Sequence, residues 1–165
     1  MPTIKVQLTK FETSIATVLA ELRQGENDEN EVTDRRIHQE KTSVEVHALG
    51  LCGELAFCKA MNLYPDLSSH SRDGGHDVVL IDGTTVDVKT TDDTNHNLMT
   101  PQWKNMGTKT PADVYVLVIG SGKDYTLIGY ATKDMLFNEK TKCNPVGIPS
   151  HRVWKKDLID MAHLY

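Results

Sequence analysis

Asp82-Gly83 lies between two runs rich in β-branched residues, 78–81 and 84–91, and this arrangement constrains the chain more than any other. An Asp-Gly dipeptide readily supplies the positive φ angles of a hairpin turn, so two adjacent antiparallel strands are expected. Side chains alternate along the second strand, placing Thr85, Asp87 and Lys89 on one face and Val86 and Val88 on the other. The register then decides whether Asp77 joins the charged face. A strict Asp82-Gly83 loop sets Ile81 opposite Thr84 and puts Asp77 with the valines. One extra residue, as in an Asp82-Gly83-Thr84 loop or an equivalent bulge, reverses that. Val78, Leu80, Val86 and Val88 then share a buried face, while Asp77, Asp87 and Lys89 converge on the other. The second register is the expected one, because it gathers the apolar residues as well as the charged ones.

Two carboxylates and an ammonium on neighbouring strands suit a hard divalent cation. Mg²⁺ prefers octahedral oxygen ligands, retains waters, and is held by few carboxylates plus phosphate oxygens. Asp77, Asp87 and the Val88 carbonyl can supply such oxygens. Lys89 can orient or activate a water and steady negative charge growing on a phosphate. At the level of these residues alone, a surface salt bridge on the outer face of a strand remains open as the other reading.

The order Asp77, nine residues, Asp87-Val88-Lys89 resembles the motif of the PD-(D/E)xK nuclease superfamily, an acidic residue followed by an acidic-x-Lys strand. Upstream, Gly50-Leu51-Cys52-Gly53-Glu54-Leu55-Ala56-Phe57 resembles the helix that carries the superfamily's glutamate. His76 stands where the family often has Pro. The resemblance spans about residues 36–135 and implies an α/β, restriction-endonuclease-like core, with a mixed sheet of about four or five strands flanked by helices. It also implies a Mg²⁺- or Mn²⁺-dependent nuclease acting on nucleic acid, DNA in preference to RNA, that leaves a 5′-phosphate and a 3′-hydroxyl. In that scheme Asp77, Asp87 and the Val88 carbonyl bind metal, Glu54 binds it directly or through water, and Lys89 positions the attacking water. A looser similarity to small phage-encoded members suggests residence in a host cytoplasm. No DNA-reading module is evident, so structure-selective binding, a homodimer or a specificity-giving partner protein is expected to direct it.

The length of 165 residues suits one domain. We divide it into an N-terminal helix and acidic loop (1–33), a core (34–137) and a C-terminal extension (138–165). With 39% hydrophobic and 25% charged residues, the composition is that of a soluble globular protein, and no apolar run approaches the length of a membrane span. The first residues lack the apolar stretch of a signal peptide, so a cytoplasmic location is expected. Cys52, Cys58 and Cys143 have no Cys-x-x-Cys spacing, which argues against a disulfide framework or zinc ribbon; Cys52 and Cys58 read as core residues. A net charge of −5 argues against tight nonspecific binding to a polyanion, although much of the acid is concentrated in 26–31. That balance supports a second function, a nuclease-fold module that binds nucleic acid or protein without cleaving. A third, a metal-binding domain using His70, His76 and Asp77, lacks the spacing of an established zinc site.

Along the rest of the chain, Ile4, Val6 and Leu8 alternate as a short strand. Ile15, Val18, Leu19 and Leu22 follow helical spacing, with Thr13 as cap and Gly25 as stop, and packing on the domain is favoured over dimerisation for this helix. The acidic stretch 26–34 reads as an exposed loop. From Asp34 to Met61 a long helix is expected, with Ile37, Val44, Ala48, Leu51, Leu55 and Cys58 along its apolar face. Arg36 and His47 fall on the ridge of Glu54 and are candidate nucleic-acid contacts, against a solvated helix face. Gly50 and Gly53 suggest close approach of the hairpin. The segment 90–112 reads as a polar substrate-contacting loop, with Gln102, Trp103 and Lys104 as candidate phosphate or base contacts and Trp103 either stacking or anchoring. Residues 113–119 read as a central strand, 125–130 as the next, and 133–137 as a short helix capped by Thr132. A loop over 138–149, an edge strand over 151–154 and a last helical turn complete the reading.

Overall fold

A strand of near-continuous apolar residues needs cover on both faces, and β5 (Val114–Ser121) has it: Val114 through Val118 are each at most 6% exposed. The computed structural model describes residues 3–29, 41–68, 75–102 and 110–164. Around β5 runs a mixed five-stranded sheet made with β1 (Ile4–Gln7), β2 (Val78–Val79), β3 (Thr85–Thr91) and β6 (Asp124–Thr132), in the order β1-β6-β5-β3-β2. Only β3 and β5 are parallel; the other pairs are antiparallel. The protein is therefore α/β, and this mixed sheet has the number of strands expected.

One face of the sheet is covered by α1 (Lys10–Glu29) and α2 (Ser43–Ala60). Ala16, Leu19, Leu51, Cys52, Phe57 and Cys58 pack there with Val78, Val86, Val88, Val116 and Leu127. The two cysteines are core residues, as read. The other face departs from the expected helical cover. A three-stranded antiparallel sheet lies on that side, β4 (Leu98–Pro101), β8 (Ser150–Val153) and β7 (Lys142–Cys143) in the order β4-β8-β7, with α3 (Lys133–Leu136) beside it. Leu98, Leu136, Val153 and Leu158 close this layer over Tyr115, Leu117 and Ala131. Thus β4 interrupts the expected polar loop, β7 interrupts the 138–149 loop, and β8 is central where an edge strand was expected. These strands have two to four residues and gain their apolar contacts from distant segments, which local pattern does not reveal.

Helix ends differ from expectation for a common reason. The Thr9 hydroxyl accepts from the Glu12 amide at 3.2 Å while the Glu12 carboxylate accepts from the Thr9 amide at 2.6 Å. This capping box starts α1 one turn before Thr13, whose hydroxyl instead donates to the Lys10 carbonyl. Gly25 does not stop α1, which continues to Glu29 through part of the expected acidic loop; one glycine costs a helix only about 1 kcal/mol. A second capping box, Thr42 with Glu45, starts α2 at Ser43; residues 34–40, where the expected helix began, lie outside the described residues.

The hairpin pairs Val78 with Val86 and Val79 with Thr85. Leu80 donates its amide to Thr84 at 2.9 Å, Gly83 donates to the Leu80 carbonyl at 3.0 Å, and Gly83 has φ 90°. The loop is Ile81-Asp82-Gly83: it has the expected extra residue, placed before Asp-Gly where the sequence reading put it after. Parity, and hence facing, is as anticipated. Val78, Val86 and Val88 are buried in the helix-covered core, with Leu80 packed against it.

Candidate active site

Because Val86 and Val88 face the helices, Asp87 and Lys89 face the second sheet. Asp87 is 1% exposed and forms an ion pair with Lys89, whose side chain is 25% exposed. On β5 their register partners are Tyr115 and Leu117. Burial acts to remove the proton from Lys89, but the charges of Asp87 and Asp77 and the hydrogen bond to Asp87 outweigh it and raise the pKa. Lys89 is therefore an ammonium at neutral pH, suited to holding a water or phosphate oxygen and not to abstracting a proton. Burial, reinforced by the charge of Asp87, pushes the Tyr115 phenol up to about 12. Its oxygen accepts from the Ala112 amide at 3.2 Å.

Asp77 precedes β2 and fastens its open end. Its amide donates to the Val86 carbonyl at 2.7 Å, and its carboxylate accepts from the Val88 amide at 2.7 Å. A strand residue presents its N–H and C=O to the same neighbour, so the Val88 carbonyl is directed to the edge occupied by Asp77. The structure thus brings Asp77, Asp87, Val88 and Lys89 together at one end of the hairpin.

Glu54 enters from α2. With Asp66, Asp77 and Val78 it lines a cavity of about 10 Å³ between the two helices and the hairpin, about the size of one water. Gly53 makes that approach close: a Cβ there would lie 1.8 Å from the Thr90 hydroxyl. Gly50 has no such role, with nothing within 4 Å. Glu54 and Asp77 line the same cavity, whereas Asp87 and Lys89 lie on the face of β3 turned to the second sheet. Among the described residues, no group of three or more His, Cys, Asp or Glu side chains is arranged to hold a metal ion. What the hairpin offers is two carboxylates and a backbone carbonyl, an all-oxygen donor set whose chemistry fits Mg²⁺ or Mn²⁺ with retained waters.

His47 lies on α2, two turns before Glu54 and half-buried. Gln102 follows β4, and its amide donates to the Pro149 carbonyl at 2.9 Å, fixing it at the end of the second sheet. Arg36, His70, Trp103 and Lys104 lie outside the described residues.

Sequence reasoning missed three polar side chains in the layer facing Asp87. Tyr115 was absorbed into an apolar run, although a lone Tyr among aliphatic residues was a signal. Thr100, fully buried, has no hydrogen-bond partner for its hydroxyl among the described residues. Its cross-strand neighbour His151 is 3% exposed, stacks edge-on with Phe137 at 5.2 Å, and Phe137 meets Tyr115 at 5.5 Å. The Thr141 hydroxyl donates to the Leu136 carbonyl at 2.5 Å and so accepts from His151 Nδ1 at 2.9 Å. Burial, then the charge of Lys142, lowers the pKa of His151.

Comparison with known proteins gives a family whose function is unknown. No curated protein and no solved structure matches the chain. A family model covers residues 3–126, from β1 through the hairpin to the first residues of β6, and leaves α3, β7 and β8 outside. By that match the chain belongs to DUF5843, a family of unknown function.

Proposed function

We propose that this protein is a metal-dependent nuclease of the PD-(D/E)xK kind, with a restriction-endonuclease-like core formed by the five-stranded sheet, α1 and α2. The observation that carries the reading is the hairpin end, where a buried Asp87–Lys89 pair, the Asp77 carboxylate and the edge of Val88 meet. A carboxylate buried this deeply costs stability unless paired, and well-packed apolar residues would serve a purely structural strand at least as well. Asp77, Asp87 and the Val88 carbonyl would hold Mg²⁺ or Mn²⁺, with Glu54 reaching the site from the Asp77 side. When bound, the metal would polarise the scissile phosphate and lower the pKa of a coordinated water. Lys89 would hold that water in line and offset the growing negative charge. Arg36, His47, Gln102, Trp103 and Lys104 remain candidate contacts to DNA. A homodimer or partner protein would supply specificity.

The test is incubation of pure protein with labelled single-stranded, duplex and branched DNA in Mg²⁺, Mn²⁺ or EDTA, alongside Asp87→Ala. Metal-dependent cleavage that the variant loses supports the assignment. Equal cleavage by the variant refutes the site. The net charge of −5 favours a second reading, a nuclease-fold module that binds without cleaving. Retained binding with no cleavage of any substrate would select it.

A further inference from the structure

Residues 133–165 hold six Lys and Arg against four Asp and Glu, whereas residues 1–132 hold 12 against 19. This positively charged part of an acidic chain is the part that builds α3, β7 and β8, beyond the matched region of the family model. Within it, β8 points His151 and Val153 inward and Arg152 outward, across from Met99 of β4. The Arg152 guanidinium lies over the Trp154 ring, 4.1 Å from its centroid, and Trp154 is 48% exposed. An indole held against a guanidinium presents flat, cationic, partly desolvated surface, the chemistry on which unpaired bases stack.

This surface is tied to the hairpin site by its backbone. Lys155, next to Trp154, donates its amide to the Asn97 side chain at 3.0 Å and its ammonium to the Thr94 carbonyl. Thr94 and Asn97 belong to the short connection from β3, which carries Asp87 and Lys89, to β4. Gln102 follows directly at the far end of β4. A strand crossing the outer face of the second sheet would therefore run from Trp154 towards the connection that leaves β3 two residues after Lys89.

We propose that the Arg152–Trp154 pair on the outer face of the second sheet is a stacking platform for single-stranded nucleic acid. The proposal deepens the nuclease reading by naming an unpaired strand as its substrate class, and rests on that reading only for the substrate's fate. Arg152 and Trp154 supply stacking, and Lys156, exposed two residues further on, adds charge that attracts phosphate.

The test is binding of fluorescein-labelled oligothymidylate, followed by anisotropy at low salt in EDTA, so that cleavage plays no part. Trp154→Ala and Arg152→Ala should each weaken binding on the order of tenfold, with melting temperatures unchanged. Trp154→Phe should restore most of the affinity, and Lys10→Ala, on α1, should bind as the parent does. Parental affinity in both alanine variants overturns the proposal. So does preference for a duplex of the same length, or no binding by the parent. Loss of the platform with cleavage intact would leave the nuclease standing; absent cleavage with stacking intact would remove the nuclease and leave the platform.

Discussion

On the helix-covered face of the central sheet, Phe57, Ala56 and Ala16 meet Val86, Val116 and Leu127 in a layer whose fully buried side chains are apolar. On the opposite face, Asp87, Thr100 and His151 are just as inaccessible and polar. The two layers share β3, where side-chain parity makes the difference: Val86 and Val88 serve one, Asp87 and Lys89 the other, while Thr100 and His151 come from β4 and β8 of the second sheet. Apolar burial contributes about 25 cal/mol for each Å² removed from water, and the helix side collects that contribution without desolvating charge. The second side buries a carboxylate against an ammonium, an arrangement that at best breaks even with an apolar pair. Stability accounts for the first face. For the second it leaves the polarity unexplained, and the proposed nuclease chemistry is what would require it.

The comparison breaks most sharply if both charges are replaced together. Asp87→Leu with Lys89→Met should abolish cleavage, by about four orders of magnitude or about 5 kcal/mol of barrier, while leaving unfolding free energy level or up to about 4 kcal/mol higher. Quantified cleavage beside urea unfolding checks both halves; a large loss of stability would make the pair structural. Phe57→Ala should do the reverse, costing about 3–5 kcal/mol in the same urea experiment while folded molecules cleave at the parental rate. A smaller effect sharpens the contact between the faces. Gly53→Ala gains helix propensity of about 1 kcal/mol but forces its Cβ onto Thr90, where the hydroxyl lies 1.8 Å away. A net loss of about 1–2 kcal/mol is expected, partly recovered by adding Thr90→Ala. Thermal melts of the two variants beside the parent decide it, and a stabilised Gly53→Ala would mean that α2 does not lie this close to β3.

Asp77, Asp87 and Lys89 were legible because a strand's period of two makes facing a matter of counting, and the burial of Val78, Val86 and Val88 left one parity. The exact loop was not, since Ile81-Asp82-Gly83 and Asp82-Gly83-Thr84 place every side chain on the same faces. The Thr42 and Glu45 capping box is written in the sequence, yet the apolar periodicity running through Ile37 masked it. The second sheet was hidden for another reason. Leu98 and Val153 are 55 positions apart and become neighbours only through β4–β8 pairing, so nothing local to either marks a strand. The layer that buries Thr100 and His151, and with it the Arg152–Trp154 surface, depends on that pairing.

The smallest effect expected lies at the rim of the polar face, where Asp113 fastens the starts of β3 and β5. Its carboxylate accepts from the Thr85 amide at 3.0 Å and hydroxyl at 2.8 Å, and pairs with Lys133 at 3.3 Å. The Thr85 amide above all, then its hydroxyl and Lys133, hold the Asp113 pKa at about 2, below the ordinary 3.8. A carboxyl depressed in the folded state stabilises above its unfolded pKa, and the contribution fades as pH falls from about 4 to about 2. Lys89, raised in the fold, acts in the opposite sense: its contribution is complete at neutral pH and is lost only as pH climbs past 10.5. Since the Asp113 side chain is 45% exposed, solvent screening should keep its effect at pH 7 below about 1 kcal/mol. Glu12, Glu45 and Asp82 are depressed as well, so the quantity to measure is the difference between parent and Asp113→Asn in urea unfolding at each pH. That difference should shrink from pH 4 downward and vanish near pH 2. A gap that persists undiminished in acid would assign Asp113 a role in shape and hydrogen bonding instead of charge, and would leave the acid sensitivity to the helix caps on the other face.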